Sequence, residues 1–241
     1  MAPKTVIVIP ARNSEKTIEN TYREIPAKFR DHVVISDNAS TDRTVKIARK
    51  LGMKVLLNDV NRGYGGNLKN LFLEARKSRA DIVVLLHSDN QYDASKIPAL
   101  IAPLIRDEAD FVVGSRIRGD RAKGMPLFRF VGNRILTFME NACMGTNITD
   151  MHSGMMAFSR AVLEKSRFEL NSDDYVFHSE FLFQARLHGF RFAEIGIPTR
   201  YFKEASSADV KKSFIYGART LTNLARYLLH KHGIRNYRKF D

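Results

Sequence analysis

Short apolar segments alternate with helical patterns through the first half of the chain. The apolar segments predict strands at residues 5–9, 33–35, 55–57, 82–86 and 111–113. Apolar positions at helical spacing fill the intervals, at 15–29, 42–51, 65–79 and 95–106. Strands that alternate with helices in this way indicate an α/β fold, in which a mainly parallel, Rossmann-like central sheet carries helices on both faces.

The alternation ends after Gly114. Residues 116–123 are rich in Gly and Arg and lack periodicity, so we expect a loop there. Later patterns predict helices at 126–144, 179–188 and 208–231 and strands at 155–158 and 193–198. Ser40 is the expected cap of the second helix, while Gly52 and Gly189 are placed to follow helix ends. We expect a single domain over residues 1–241.

Polar side chains follow the predicted strands. The first strand leads into Pro10, Ala11, Arg12 and Asn13, and the second ends at Asp37. Because the carboxyl ends of parallel strands share one edge of a sheet, these groups are expected to lie together, where open α/β sheets bind their ligands. Ser40 and Asp42 are better explained as helix starters. The turn at residues 61–67 is Gly-rich but lacks the P-loop spacing, so taken alone it is weak evidence for a phosphate site.

Residues 84–93 contain the most informative polar cluster. A buried strand is expected to end at His87, Ser88 and Asp89, with Gln91 shortly after. In extended backbone His87 and Asp89 would face one side and could share a cation. The simpler interpretation is a polar turn in which Asp93 or Ser95 caps the next helix.

Charge and composition limit the partners. The formal net charge of +13 favours anionic ones, such as nucleotide phosphates, anionic lipids or nucleic acid. The single cysteine, Cys143, excludes an intrachain disulfide and suits a reducing compartment. No apolar run approaches the ~18 residues that span a bilayer, and the N-terminus lacks a signal-peptide core. We expect a cytoplasmic protein that is soluble or peripheral on the inner face of the membrane.

Seven short motifs occur in order along the chain: VIPARN (8–13), SDNASTD (36–42), NRGYGGN (61–67), HSDNQYD (87–93), GSR (114–116), DMHSG (150–154) and IPTRY (197–201). Together they resemble glycosyltransferase family 2, most closely the branch that contains dolichyl-phosphate mannose and dolichyl-phosphate glucose synthases. The resemblance spans roughly residues 4–230.

The resemblance implies a GT-A fold and an inverting transfer of a hexose from a UDP- or GDP-linked sugar, with Mn²⁺ or Mg²⁺ as cofactor. The implied nucleotide-binding residues are Pro10, Ala11, Asn13, Asp37, Arg62, Gly63 and Ser88. The implied metal site is Asp89 with Gln91 and His87, and the implied catalytic residues are Asp89, Arg116 and Asp150. Residues 1–115 would form the nucleotide-sugar half, 116–205 the acceptor half and 206–241 a basic C-terminal helix and tail.

Three departures from the family pattern affect these expectations. Position 87 is His where much of the family has Asp, which favours Mn²⁺ at least as much as Mg²⁺ if His87 is a ligand. Asn13 is followed by Ser14 where the family commonly has Glu, so Glu15 is a possible substitute. The membrane-spanning tail of some relatives has no counterpart here.

The nature of the acceptor decides which further residues are needed. A polyprenyl phosphate is already ionised and requires arginines to position it. The candidates are Arg116, Arg118, Arg129 and Arg134, with His152, Ser153 and Gly154 lining the site. A sugar hydroxyl would instead require a carboxylate base. Asp150, Asp173, Asp174 and Glu180 are the options, and the sequence does not separate them.

The C-terminal region is basic. Residues 203–241 contain nine Lys or Arg against three acids, and the last helix carries Phe214, Leu221, Leu224 and Leu228 along one stripe. Such a helix suits an anionic membrane surface, and equally a helix docked on the core with a solvated basic face. A basic nucleic-acid-binding protein would also explain the charge, but not the acidic and amide groups at the strand ends. We therefore expect no nucleic acid partner.

Overall fold

The computed structural model describes residues 3–118, 124–200 and 210–241. Seven strands form one sheet: β1 (Thr5–Ala11), β2 (Val33–Asn38), β3 (Lys54–Asn58), β4 (Ile82–Leu85), β5 (Phe111–Ser115), β6 (Met156–Ser159) and β7 (Phe192–Gly196). Their order across the sheet is β3-β2-β1-β4-β6-β5-β7. Neighbouring strands run parallel except β6, which is antiparallel to both β4 and β5. The predicted mainly parallel sheet is confirmed.

Helices cover both faces of this sheet. They are α1 (Ile18–Glu24), α2 (Thr44–Lys50), α3 (Gly63–Lys77), α4 (Ile97–Ile105), α5 (Leu127–Met144), α6 (Arg160–Lys165), α7 (Phe177–Leu187) and α8 (Val210–Lys231). Short 3₁₀ turns lie at Ala27–His32, Ala94–Lys96, Phe168–Leu170 and Arg238–Phe240. Because side chains alternate along a strand, Val6 and Val8 join one core cluster with Phe72 of α3, whereas Ile7 and Ile9 join the other.

Several local predictions need correction. The helix predicted at 15–29 is broken, because Pro26 lacks an amide hydrogen and precedes a 3₁₀ turn. Ser40 does not cap α2. The helix begins at Thr44, whose amide donates to Asp42 Oδ1, and Ser40 Oγ accepts from the Asn13 amide instead. Helix α6 was not predicted. The predicted positions of Gly52 and Gly189 after helix ends are confirmed, both with positive φ.

The stripe predicted on the last helix is divided between core and surface. Leu224 is buried and Leu228 packs against the core, whereas Phe214 and Leu221 are exposed.

Most of the predicted 116–123 loop, residues 119–123, lies outside the described residues. Within the described ranges, no helix combines the length and the apolarity needed to cross a bilayer.

Candidate functional site

The carboxyl ends of β1, β2, β4 and β5 lie at one edge of the sheet, because these strands run in the same direction. Antiparallel β6 begins at that edge, so the preceding residues 150–154 lie there too. The edge therefore brings together five of the motifs, the ones that contain Pro10, Asp37, His87, Gly114 and Asp150. Chain direction alone explains this convergence.

Asp37 has a buried oxygen that no described residue satisfies. The residue is 3% exposed, and its Oδ2 accepts a hydrogen bond from the Ser40 amide at 2.9 Å. Its Oδ1 is buried without a hydrogen-bond partner in the described residues. Because an unmet buried acceptor is costly, this oxygen is suited to an N–H donor of a bound ligand.

Hydrogen bonds connect the loops after β1 and β2. Asn13 Oδ1 accepts from the Thr41 amide at 2.9 Å, and the Ser14 amide donates to Thr44 Oγ1 at 2.7 Å. Ser14 Oγ also lies 2.8 Å from Ser88 Oγ, which joins these loops to the end of β4. Glu15 is turned toward Arg43, with Oε2 3.0 Å from Arg43 Nε. The loops around Asp37 are thus held in one arrangement before any ligand binds.

The Gly-rich turn packs against another part of the chain. The Gly65 amide donates to the Asp173 carbonyl at 2.7 Å. A Cβ at Gly65 would lie 2.1 Å from the Ser172 carbonyl oxygen, and one at Gly63 would lie 2.3 Å from that of Asp173. Glycine at these two positions permits this close backbone contact, whatever else the turn binds. Arg62, one residue before Gly63, is exposed, and its amide donates to Asn38 Oδ1 at 2.8 Å.

Asp89 and His87 do not lie in an extended strand as expected, because β4 ends at Leu85. Asp89 lies in a turn and is partly exposed, and its Oδ1 accepts from the Gln91 amide at 3.0 Å. The His87 ring packs on Gly154, where an added Cβ would lie 2.4 Å from His87 Cε1. Among the described residues no cluster of three or more metal-binding side chains forms. The role of His87 as a metal ligand stays a prediction.

His87 belongs to a hydrogen-bonded chain of three side chains. Tyr64 Oη lies 2.7 Å from His87 Nε2 and 2.8 Å from His178 Nε2. Burial lowers the pKa of His87, and burial together with the neighbouring histidines lowers the pKa of His178 to about 3. Burial also raises the pKa of Tyr64. All three groups are therefore neutral near pH 7, and the chain connects the end of β4 with α3 and α7.

Arg116 and Asp150 form a buried ion pair. Arg116 Nε lies 2.7 Å from Asp150 Oδ2 and Nη2 lies 2.9 Å from Oδ1, while Asn133 Nδ2 donates to Oδ1 at 2.8 Å. Burial alone would raise the pKa of Asp150, but the Arg116 charge and these hydrogen bonds outweigh it and lower that pKa to about 2. Asp150 is fully buried and stays ionised at neutral pH. Arg116 also donates to the His152 carbonyl at 3.1 Å.

A second buried group lies beside this pair. His152 Nδ1 lies 2.8 Å from Tyr216 Oη, and His152 Nε2 lies 3.1 Å from Glu140 Oε2. Burial lowers the pKa of His152, but the nearby negative charge of Glu140 outweighs that effect and raises it. Glu140 belongs to α5 and Tyr216 to α8. His152 therefore fastens both helices to the 150–154 segment.

The remaining predicted acceptor residues are dispersed. Arg118 Nη1 donates to the Glu194 carbonyl at 3.0 Å, and exposed Arg134 donates to the Thr149 carbonyl at 3.1 Å. Arg129 lies in the first turn of α5. Ser153 Oγ donates to the Gly114 carbonyl, and the Gly154 amide donates to Tyr92 Oη at 2.6 Å. Ser153 and Gly154 thus bind neighbouring parts of the chain.

The carboxylates considered as bases are also paired with cationic side chains. Asp173 Oδ1 accepts from Lys69 Nζ at 2.7 Å, and Asp174 pairs with Arg219. Glu180 is buried, accepts from Ser172 Oγ at 2.9 Å and pairs with Lys239. With Asp150 held by Arg116, each of the four options has a cationic partner.

Sequence reasoning did not identify Tyr64, His178, Glu140 and Tyr216 as parts of the site. Tyr64 stands within the quoted Gly-rich motif, which was the available signal. The other three lie inside helices, where a polar residue on the inner side has the same sequence appearance as one facing solvent.

Comparison with known proteins identifies the family. Residues 6–167 match "Glycosyl transferase family 2". The chain is 33% identical over 220 residues to a UDP-N-acetylglucosamine–dolichyl-phosphate N-acetylglucosaminyltransferase of Methanococcus voltae, covering 83% of this chain and 88% of that protein. It is 30% identical over 196 residues to a dolichyl-phosphate hexose transferase of Haloferax volcanii, covering 80% of this chain and 82% of that protein.

Solved structures agree on the fold. Glucosyl-3-phosphoglycerate synthase of Mycobacterium tuberculosis superposes with a TM-score of 0.69 at 21% identity, covering 98% of this chain and 82% of that one. The same enzyme in complex with Mn²⁺, UDP and phosphoglyceric acid gives a TM-score of 0.66 at 21% identity, covering 98% of this chain and 80% of that one. Together with the sequence match, this GT-A fold shows that the chain is a glycosyltransferase and belongs to glycosyl transferase family 2, with relatives among the dolichyl-phosphate sugar transferases.

Proposed function

We propose that this glycosyltransferase moves a hexose, with inversion, from a UDP- or GDP-linked sugar to a polyprenyl phosphate at a membrane surface. The observation that supports a phosphate acceptor is that each of the four candidate bases is paired with a cation. Asp150 and Glu180 are buried in their pairs, and Asp173 and Asp174 form more exposed ones, so none of the four is an unpaired carboxylate base. A phosphate acceptor is already anionic and requires no such base. The names of the two archaeal relatives support the same acceptor.

The donor would bind across the ends of β1, β2 and β4. Asp37 Oδ1 is available to accept an N–H of the base, and Pro10, Ala11, Asn13, Arg62, Gly63 and Ser88 surround this region as predicted contacts. The M. tuberculosis neighbour was solved in complex with UDP, which supports a nucleotide-linked donor. In this chain, the support for a nucleotide beside Asp37 is its Oδ1, which has no hydrogen-bond partner among the described residues.

A divalent cation fits beside Asp89. The Gln91 amide orients this carboxylate, and a single carboxylate with the donor diphosphate is a usual ligand set for Mg²⁺ and suits Mn²⁺ as well. Such an ion stabilises negative charge on the departing diphosphate. His87 Nε2 is engaged with Tyr64, so we propose Asp89 as the principal protein ligand.

We propose that Arg116 orients the acceptor phosphate. Its side chain is 15% exposed and is held by Asp150, which fixes the direction of the guanidinium. Guanidinium geometry matches that of phosphate, so this side chain is our candidate for orienting an anionic nucleophile beside the sugar. Asp150 then acts as a positioning residue. The division into a nucleotide half, an acceptor half and a basic tail stays a prediction.

Transfer of radiolabelled sugar tests the proposal. Label from UDP- or GDP-sugars should enter the organic phase when polyprenyl phosphate and Mn²⁺ or Mg²⁺ are present, and chelator should abolish it. Asp89→Asn should reduce the rate about a hundredfold or more, while the exposed Asp59→Asn should leave it unchanged. Label that remains in water as a glycoside would exclude the lipid acceptor. Full activity of Asp89→Asn would exclude the metal assignment.

A further inference from the structure

Helix α5 has its polar side turned inward and its apolar side turned outward. Its buried residues are Asn133, Thr137, Glu140 and Met144. The opposite side presents six exposed large apolar side chains: Leu127, Phe128, Val131, Ile135, Phe138 and Met139. A helix that faces water has the reverse arrangement. Contiguous exposed apolar surface of this kind marks a contact site.

Helix α8 extends this surface. A Cβ at Gly217 would lie 3.9 Å from Leu136 Cδ1, so the two helices touch there. Phe214 and Leu221, three residues before and four after Gly217, share that side of α8 and are exposed. Phe138 and Phe214 are 74% and 78% exposed, which is unusual for phenylalanine in water. We name the exposed apolar residues of α5 with Phe214 and Leu221 the apolar face.

The exposed charges of α5 have one sign. Arg134 is exposed and Arg129 is partly exposed. The acid of this helix, Glu140, is buried beside His152. An exposed apolar surface on a helix whose exposed charges are basic is complementary to anionic lipid.

We propose that the apolar face is where this protein rests on an anionic membrane. The basic tail alone would not provide this contact, since Leu224 and Leu228 of its helix face the core. The inner sides of the same helices hold the site, because Asn133 of α5 binds Asp150 and Tyr216 of α8 binds His152. The proposal deepens the proposed function, and rests on it only for the identity of the acceptor: a lipid phosphate presented from the bilayer would arrive beside Arg116.

Vesicle co-sedimentation of the full chain tests this, with neither donor nor acceptor present. The protein should bind phosphatidylcholine vesicles that contain phosphatidylglycerol, and should bind pure phosphatidylcholine more weakly. High salt should weaken binding without abolishing it, because the apolar contribution remains. The double variant Phe138→Ser, Phe214→Ser should lower the partition coefficient about tenfold or more. The control Leu57→Ser, Ile105→Ser removes exposed apolar residues, each 54% exposed, elsewhere and should bind as the parent does.

The alternative occupants give different results. A dimer in solution that the Phe138→Ser, Phe214→Ser pair dissociates would assign the apolar face to a second copy and overturn the proposal. Failure of the parent to bind anionic vesicles at low salt would overturn it as well. Circular dichroism of each variant confirms the fold before binding is compared.

The two proposals fail separately. Transfer to detergent-dispersed polyprenyl phosphate without vesicle binding would remove the membrane contact and leave the acceptor in place. Vesicle binding that depends on Phe138 and Phe214, in a protein that does not glycosylate polyprenyl phosphate, would leave the membrane contact in place and remove the proposed acceptor.

Discussion

The Arg116 guanidinium and the Asp150 carboxylate meet through two hydrogen bonds, Nε to Oδ2 at 2.7 Å and Nη2 to Oδ1 at 2.9 Å, and Asp150 is completely buried. A further bond from the Arg116 amide to Oδ2, at 3.1 Å, joins the backbone to the same carboxylate. The pair therefore fixes both the direction of the arginine and the path of the chain after β5. A carboxylate so enclosed positions another group rather than exchanging protons with substrate.

Replacing one partner of this pair should be costly. Asp150→Asn leaves a largely buried guanidinium without its counter-charge, and we expect a loss of about 3 kcal/mol in the free energy of unfolding. Glu19→Gln, which breaks the exposed Glu19–Arg23 pair, should cost less than about 1 kcal/mol. Urea denaturation of both variants measures the difference. Equal costs would show that the Arg116–Asp150 pair contributes no more than a surface pair.

Asp37→Asn should weaken nucleotide binding specifically. The amide can keep its oxygen toward the Ser40 amide only by turning its NH₂ toward the position of Oδ1, where a donor would then face a donor. We expect about a tenfold to hundredfold loss of affinity for the matching nucleoside diphosphate, since a hydrogen bond to a charged acceptor is worth about 1.5–3 kcal/mol. Calorimetry with UDP and GDP measures it, with Asp59→Asn as control. Unchanged affinity for both nucleotides would remove Asp37 from the base site.

The buried histidines predict how stability depends on pH. Unfolded His178 takes up a proton near pH 6.5, whereas the folded residue stays neutral down to about pH 3. Protons therefore favour the unfolded state between these values. His178 alone should remove about 2 kcal/mol of stability between pH 6.5 and pH 5. Urea denaturation across this range should show a steeper decline for the parent than for His178→Asn.

His152 provides a control of opposite sign. Its folded pKa is raised by Glu140, so its stabilising contribution is present below pH 6.5 and is lost as pH rises through the folded pKa. The parent should therefore gain stability relative to His152→Asn as the pH falls toward 6.5, and the two slopes between pH 6.5 and pH 5 should be nearly equal. If the stability of His152→Asn follows that of the parent above pH 6.5, the assigned charge state of His152 is wrong.

Gly65 tests the packing of the Gly-rich turn, and Gly132 in α5 serves as the control. Gly65→Ala places a Cβ 2.1 Å from the Ser172 carbonyl oxygen, and the backbone must shift to accept it. We expect a destabilisation of about 2 kcal/mol or more. Gly132→Ala meets no atom within 4 Å inside α5 and should stabilise the protein by about 0.5–1 kcal/mol. Thermal unfolding of the two variants should move in opposite directions.

The sequence predicted the sheet well where apolar runs were bounded by turns. Strands β1, β2 and β4 and helix α3 appear close to their expected positions, because each apolar pattern has one period and clear ends. It was less informative about α1, where Pro26 interrupts an otherwise helical pattern, and about α6, which is only six residues long. Short elements depend on tertiary contacts more than on their own pattern.

The hydrogen-bond partners of the polar residues are what the sequence does not predict. The carboxylates of Asp37 and Asp150 were identified by motif, but only the fold shows that one has an unmet oxygen and the other is saturated by Arg116 and Asn133. His87 is a predicted metal ligand two residues from Asp89. Only the fold shows that its ring packs on Gly154 and bonds to Tyr64, a residue 23 positions earlier.

The sequence by itself determined the α/β class, the mainly parallel sheet and the family, because apolar periodicity and ordered motifs are local properties of the chain. Only the tertiary structure decided which polar groups are paired, which glycines serve close packing, and which side of α5 faces outward. Those outcomes depend on partners far apart in sequence: Asp150 is held by Arg116, 34 positions away, and Tyr64 bonds to His178, 114 positions away. Burial and charge pairing arise only when the sheet and its helices bring such residues together.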